Sequence, residues 1–170
     1  MGTLVPLDTF RFPAIPGAKV PERPKYAWRV DYGPDFLSKR IVSKDPPEIG
    51  SRFPVLLPQV GEDGNEISGI RLPVIETPLA TLTGWNLRDA SIGAPTEIFS
   101  MTGSYFPFPL AKAAGDPRKP IPSLYSGKQD YLGKVRQAAA DLAGQGYLLK
   151  RDIDRIAERA AAEWDFVHAR

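Results

Sequence analysis

The residues best suited to chemistry gather in PLATLTGWNLRDASIGAP, Pro78 to Pro95, where Trp85, Asn86, Arg88 and Asp89 follow an apolar run. An arginine can hold a carboxylate through two parallel N–H bonds, and an asparagine offers both a donor and an acceptor. A tryptophan adds a flat apolar wall. Further on, IFSMTGSYFPFPL supplies Tyr105 and Phe106. Trp85, Asn86, Arg88, Tyr105 and Phe106 are therefore candidates for the lining of a substrate pocket. A structural role competes with this one: Arg88 pairing with Asp89 or Glu97 simply to fix the loop.

No attacking group is evident. The chain has one histidine, His168, two residues from its end and beyond the apolar anchor Val167, where fraying is expected. A serine or cysteine triad needs a held imidazole. Cysteine is absent, so a thiolate nucleophile, a disulfide framework and a Cys-based zinc site are all excluded. No G-x-S-x-G elbow occurs; Ser104 follows Gly103 but lacks the second glycine. No phosphate-binding or dinucleotide-binding glycine motif is present. Glu76, Asp89 and Glu97 are the acids a glycosidase-type carboxylate pair would draw on, and residue type alone supports them. No catalytic residue, metal site or cofactor is assigned, and whether the chain is an enzyme stays open.

Composition narrows the class further. The 22 basic and 20 acidic residues are interleaved, without the dense basic stripe of a nucleic-acid binder. Residues 1–52 carry nine basic and six acidic groups, 53–117 three and seven, and 118–170 ten and seven. No apolar run reaches membrane-spanning length, and MGTLVPLDTFRFP lacks the basic and apolar regions of a signal peptide. The cytoplasm is then the default location, and the start reads like chain entered midway.

The elements that must position the candidate residues come from the pattern of prolines and apolar spacing. Eighteen prolines are present, ten of them between Pro6 and Pro58 and none after Pro122. Proline removes a donor and disfavours helix before it, so residues 1–27 are expected to be an extended arm whose Phe10, Phe12 and Ile15 plug pockets on the rest of the fold. Residues 28–110 are expected to be rich in strand. YAWRVDYGP alternates like a strand, and GEDGNE is hairpin-turn chemistry, predicting strands near 54–60 and 66–73 around a solvated turn. PLATLTGW predicts a strand covered on both sides at its start, with Asn86 and Arg88 near its end. Tyr105, Phe106 and Phe108 are expected in a loop that packs its rings on the core, and 111–125 in a polar connector.

Residues 126–167 predict an antiparallel helical hairpin. Ser126 and Gln129 have capping-box spacing. Tyr131, Leu132, Val135, Ala138, Ala139 and Leu142 share one face, and Gly144 and Gly146 stop the first helix. Asp152 is the expected N-cap of a second helix bearing Ile156, Ala157, Ala160 and Trp164. The fold class is thus α+β: an antiparallel β-hairpin or meander with a proline-rich extended N-terminal arm and a C-terminal antiparallel helical hairpin, as a single domain or domain fragment.

Four stretches together resemble a known family: VLLPQVGEDGNEISGIRLP, PLATLTGWNLR, IGAPTEIFSMTGSYFPFP and YLLKRDIDRIAERAAAEWDF. They look like the C-terminal region of the bacterial alpha/beta hydrolase domain-containing proteins, from about Leu4 to Phe166. In that family a longer N-terminal part resembles an esterase, and the nucleophile and histidine lie there, upstream of the matched region. The resemblance implies a non-catalytic region that covers a hydrolase-like domain and shapes its substrate pocket. That partner would lie on the same gene product or on a separate chain. The alternative is a free-standing binding or assembly module that forms a homo-oligomer.

Overall fold

A computed structural model of the chain describes residues 4–22 and 26–169. The expected arm is therefore seen over 4–22, and residues 1–3 and 23–25 of it lie outside the described residues, as does Arg170. The elements run β1 (Leu4–Pro6), β2 (Trp28–Asp31), α1 (Phe36–Lys39), β3 (Glu48–Arg52), β4 (Leu56–Pro58), α2 (Pro73–Glu76), β5 (Ala80–Thr83), β6 (Ser104–Pro107), α3 (Ile121–Leu124), α4 (Lys128–Gly144) and α5 (Ile153–His168). The fold is α+β, as expected, with strands in short antiparallel pairs: β1 with β4, β2 with β3, and β5 with β6.

The helical hairpin forms as its periodicity predicts. Tyr131, Val135, Ala139 and Leu142 of α4 and Ala157, Ala160, Trp164 and Val167 of α5 are buried. Alanines at the seam allow the helices a close approach. Two exposed ion pairs accompany the antiparallel sense that the short link imposes: Lys128 at the start of α4 meets Asp165 at the end of α5 at 2.7 Å, and Arg136 meets Asp154 at 2.5 Å. The caps differ from expectation. Gly127 occupies the N-cap of α4, and the Ser126 N–H donates to Asp130 Oδ2 at 2.9 Å instead of the reciprocal Ser126–Gln129 pair. That bond, with Lys134 beside it, holds the Asp130 carboxyl below the usual range. Asp152 does precede α5, but a 3-10 turn over Lys150–Asp152 runs straight into the helix, and its carboxylate accepts from Arg155 rather than capping.

The core lies between this hairpin and the β5–β6 pair. Leu79, Phe108, Ile121, Tyr125, Tyr131, Val135, Ala160, Trp164 and Val167 form one buried cluster. Tyr131 stacks on Trp164 at 5.3 Å, and Tyr125 meets Tyr131 edge-on at 5.0 Å. The Tyr125 hydroxyl donates to the Pro78 carbonyl at 3.0 Å, so the ring is buried with its polar tip satisfied.

Three local expectations need correction. The aromatic stretch is strand, not loop: Tyr105 and Phe106 pair with Leu82 and Thr81 in β6. Pro107 is tolerated there because it closes the strand opposite Ala80, where an edge position needs no donor. The hairpin expected at 54–73 shrinks to one bridge, Val60 to Glu66, because β4 takes its partner from the arm instead. Pro73 then starts α2 at a position where its missing N–H costs nothing.

The third correction concerns the GEDGNE turn, which is packed rather than solvated: Gly64 and Asn65 are buried. The Asn65 side chain donates to the Ala80 carbonyl at 3.0 Å and accepts the Leu82 N–H at 2.9 Å. One amide thus replaces a neighbouring strand along the free edge of β5, whose start is covered on both sides as expected. Gly64 holds φ +80, and a Cβ there would come within 2.7 Å of Ile15 Cδ1 and Thr81 Cγ2. Ile15, at 3% exposure, is the arm residue that seals this junction.

Candidate functional site

Beyond Thr83 the β5 strand stops pairing and its polar residues turn toward an open cleft of about 730 Å³. All five pocket candidates, Trp85, Asn86, Arg88, Tyr105 and Phe106, line it. A second polar layer sets their positions. Thr83 Oγ1 donates to the Trp85 carbonyl at 2.5 Å, and Ser104 Oγ donates to the same carbonyl at 2.9 Å and lies 3.2 Å from Asn86 Oδ1. The Asn86 carbonyl accepts the Phe99 N–H at 2.7 Å, and Leu87 bridges Ile98. Gly103 lies against the Thr83 carbonyl, where any side chain would collide with it.

Arg88 does fix the loop, by a route different from the one expected. Its Nε donates to the Gly93 carbonyl at 3.0 Å and its Nη2 to the Ile92 carbonyl at 2.9 Å. Asp89 turns to Ser91 instead, accepting its hydroxyl at 2.6 Å and its N–H at 2.8 Å. Those two bonds, the hydroxyl first, lower the Asp89 carboxyl below the ordinary range. In the 89–103 loop Ala94 and Ser100 adopt φ of +50 and +51, turns in the left-handed region.

Lys19 and Phe99 are among the lining residues missed in the sequence. Lys19 comes from the arm, drawn in by the Trp85 indole N–H, which donates to its carbonyl at 2.8 Å. Phe12 of the same arm meets Trp85 edge-on at 5.2 Å. The available signal was the indole itself, which seeks an acceptor when packed, but its partner is 66 residues away. Phe99 was overlooked in a run of loop residues.

A buried ion pair also escaped notice, in the stretch read as a polar connector. Arg118 grips Asp116 two-pronged, Nε to Oδ1 at 2.9 Å and Nη2 to Oδ2 at 2.7 Å, with both side chains 4% exposed. Its Nη1 donates to the Phe106 carbonyl at 2.8 Å and reaches Thr81 Oγ1 at 3.2 Å. The guanidinium holds the Asp116 carboxyl below its usual range. This network braces the back of β5–β6 and so the cleft wall, and it leaves no buried polar side chain unsatisfied among the described residues.

Among the described residues the groups a hydrolytic triad requires are not assembled. His168 is held in the last turn of α5 rather than frayed: its Nδ1 lies 2.8 Å from the Trp164 carbonyl, and its ring stacks on Trp164 at 4.2 Å. It is not among the cleft residues, and Ser104 bonds to a carbonyl and an amide. Glu76 lines a separate pocket with Tyr125 and Arg118 and pairs with Arg71, so it does not face Asp89 across a common site. Among the described residues no cluster of His, Asp or Glu is arranged to hold a metal ion, and no helix is long and apolar enough to cross a membrane.

A family model described as an alpha/beta hydrolase domain matches residues 17–158. The chain belongs to this family. No curated protein and no solved structure matches it. The match covers the cleft, the Arg118 network and most of the helical hairpin. Within this alpha/beta hydrolase relative, the described strands form antiparallel pairs only, without the parallel strand–turn–helix that presents a hydrolase nucleophile.

Proposed function

We propose that this chain is a non-catalytic, C-terminal region of a bacterial esterase-type alpha/beta hydrolase. It packs on the catalytic part, in the same gene product or on a separate chain, and lends its cleft to the substrate pocket. The observation that carries this reading is the cleft itself. Its walls are aromatic and its loop is braced by side chain to carbonyl bonds, yet its one serine has no imidazole beside it. A binding wall needs rigid placement, and a catalytic centre needs in addition a nucleophile and a held base.

The test is ester turnover in a full-length relative carrying Asn86→Ala or Arg88→Gln, with folding checked by circular dichroism. A raised KM at intact folding is expected. Unchanged KM and kcat in both variants would refute the pocket role. The exposed β2–β3 ribbon favours a second reading, an assembly module that forms homo-oligomers through that surface. Sedimentation of the chain alone separates the two: a monomer supports the first, and a dimer lost on Ile49→Ser supports the second.

A further inference from the structure

The cleft holds positive charge that no acid among the described residues pairs with. Among the described residues the Arg88 guanidinium is anchored by the neutral carbonyls of Ile92 and Gly93. Those bonds fix its plane and cancel none of its charge. They use one N–H on Nε and one on Nη2, leaving three of the five donors, on Nη1 and Nη2, enough for a two-pronged bond to a carboxylate. Lys19 lines the same cleft, held there through its main chain by Trp85, with no ion pair to its ammonium among the described residues. Asp89, the acid lining the cleft, is turned to Ser91 through Oδ1. Around these charges stand Trp85, Phe99, Tyr105 and Phe106, and a volume near 730 Å³ is in the range that takes a small organic molecule.

A loop staple alone would not need this arrangement. Neutral donors satisfy two carbonyls equally well, whereas a guanidinium left with a free edge beside a second cation and aromatic walls is suited to an amphipathic anion. We propose that the cleft binds a small organic carboxylate with an apolar body, its carboxylate on Arg88 and Lys19 and its body against Trp85, Phe99 and Phe106. Such an anion is either the acid that ester cleavage releases or an ester bearing a second, free carboxylate. The inference rests on the reading of this cleft as a pocket wall and names the ligand class that wall would select.

The experiment is a titration of the chain with 4-phenylbutyrate and with 4-phenylbutanol, its uncharged counterpart, followed by the indole N–H signals in NMR. Trp85 is the reporter, and Trp28 and Trp164, outside the cleft, are internal controls. The acid is expected to shift Trp85 saturably while the controls stay still, with the alcohol weaker by about tenfold or more. Arg88→Gln removes that preference. Because Arg88 also braces the loop, Lys19→Gln serves as the second variant; its ammonium is exposed, and its loss weakens the acid by about two- to fivefold. A monomethyl ester of a dicarboxylic acid, which keeps one free carboxylate, compared with the free monoacid, tells the ester from the product.

Equal binding of acid and alcohol, binding of neither, or affinity unmoved by both substitutions would overturn the anion site. Turnover in the full-length relative reads the wall role separately. A turnover defect there without acid preference here would sink the ligand class and leave the wall standing.

Discussion

Two strand pairs of similar length have opposite surroundings in this protein. In the β2–β3 ribbon every residue is exposed, whereas in β5 Ala80, Thr81 and Thr83 are buried. What differs is the cover. The β5–β6 pair has the helical hairpin on one side, the Asn65 amide along its edge and Arg118 behind it. The ribbon is held by its own ladder and by surface contacts: Arg52 over Tyr26 at 4.3 Å, Arg29 over Phe53 at 4.5 Å, and Lys44 between Asp31 at 2.5 Å and Glu48 at 2.9 Å. An isolated two-stranded ribbon is marginal in water, and exposed ion pairs add little. Stability therefore resides in the core beneath the cleft. The ribbon is uncovered, with Ile49 of β3 63% exposed and Leu37 nearby 82% exposed.

Substitutions should separate the two regions sharply. The largest effect is expected at Asp116→Asn, which leaves Arg118 buried without its counter-charge and should cost about 3–5 kcal/mol in urea unfolding. A loss below about 1 kcal/mol would mean that water reaches the pair. The same pair predicts a pH signature. The folded-state pKa of Asp116 is lowered, so its contribution is fully present above the unfolded value near 4 and is lost as pH falls toward the folded one. The gap in unfolding midpoint between wild type and Asp116→Asn should close below about pH 4; a gap that persists there counts against the charge as its cause.

Next in size is Gly64→Ala, which forces a side chain into the positive-φ junction between Ile15 and Thr81 and should cost about 1–3 kcal/mol. Faster proteolysis of the arm should accompany it, and an unaltered digestion pattern would show that the arm does not depend on this seal. Tyr105→Phe removes the 2.9 Å bond to Glu163 on α5 and should cost about 1 kcal/mol in the same unfolding measurement. Burial raises the Glu163 pKa despite that bond, so the folded state favours its protonated form. Glu163→Gln should therefore stabilise most at neutral pH and less as pH falls through the raised folded value toward the unfolded one. The smallest effect belongs to the ribbon: Ile49→Ser should change the stability of the isolated monomer by no more than about 0.5 kcal/mol. A large loss there would place the ribbon inside the cooperative core.

What could be read in the sequence follows the range of the interactions. The helical hairpin was legible because its apolar spacing is local, and Tyr131, Val135, Ala157 and Trp164 lie where a 3.6-residue period puts them. The five candidates were chosen through residue type near a strand end, and the structure sets them around one cavity. What stayed hidden depends on partners far along the chain. Nothing in GEDGNE marks Asn65 as the edge partner of β5, 15 residues away at Ala80. Nothing in GDPRKP marks Arg118 as buried, since its acceptors at Thr81 and Phe106 come from two other strands. Lys19 reached the cleft only because the Trp85 indole took its carbonyl. The aromatic run was misread because two prolines suggest a loop, although Pro107 closes the strand where no donor is needed and Pro109 lies beyond it.

The role assigned to this chain is decided most directly by assaying the purified, folded protein alone against chromogenic short-chain esters. A region that furnishes walls without a nucleophile leaves hydrolysis at the buffer rate, and Ser104→Ala and His168→Ala change nothing. Saturable turnover abolished by either substitution would contradict it.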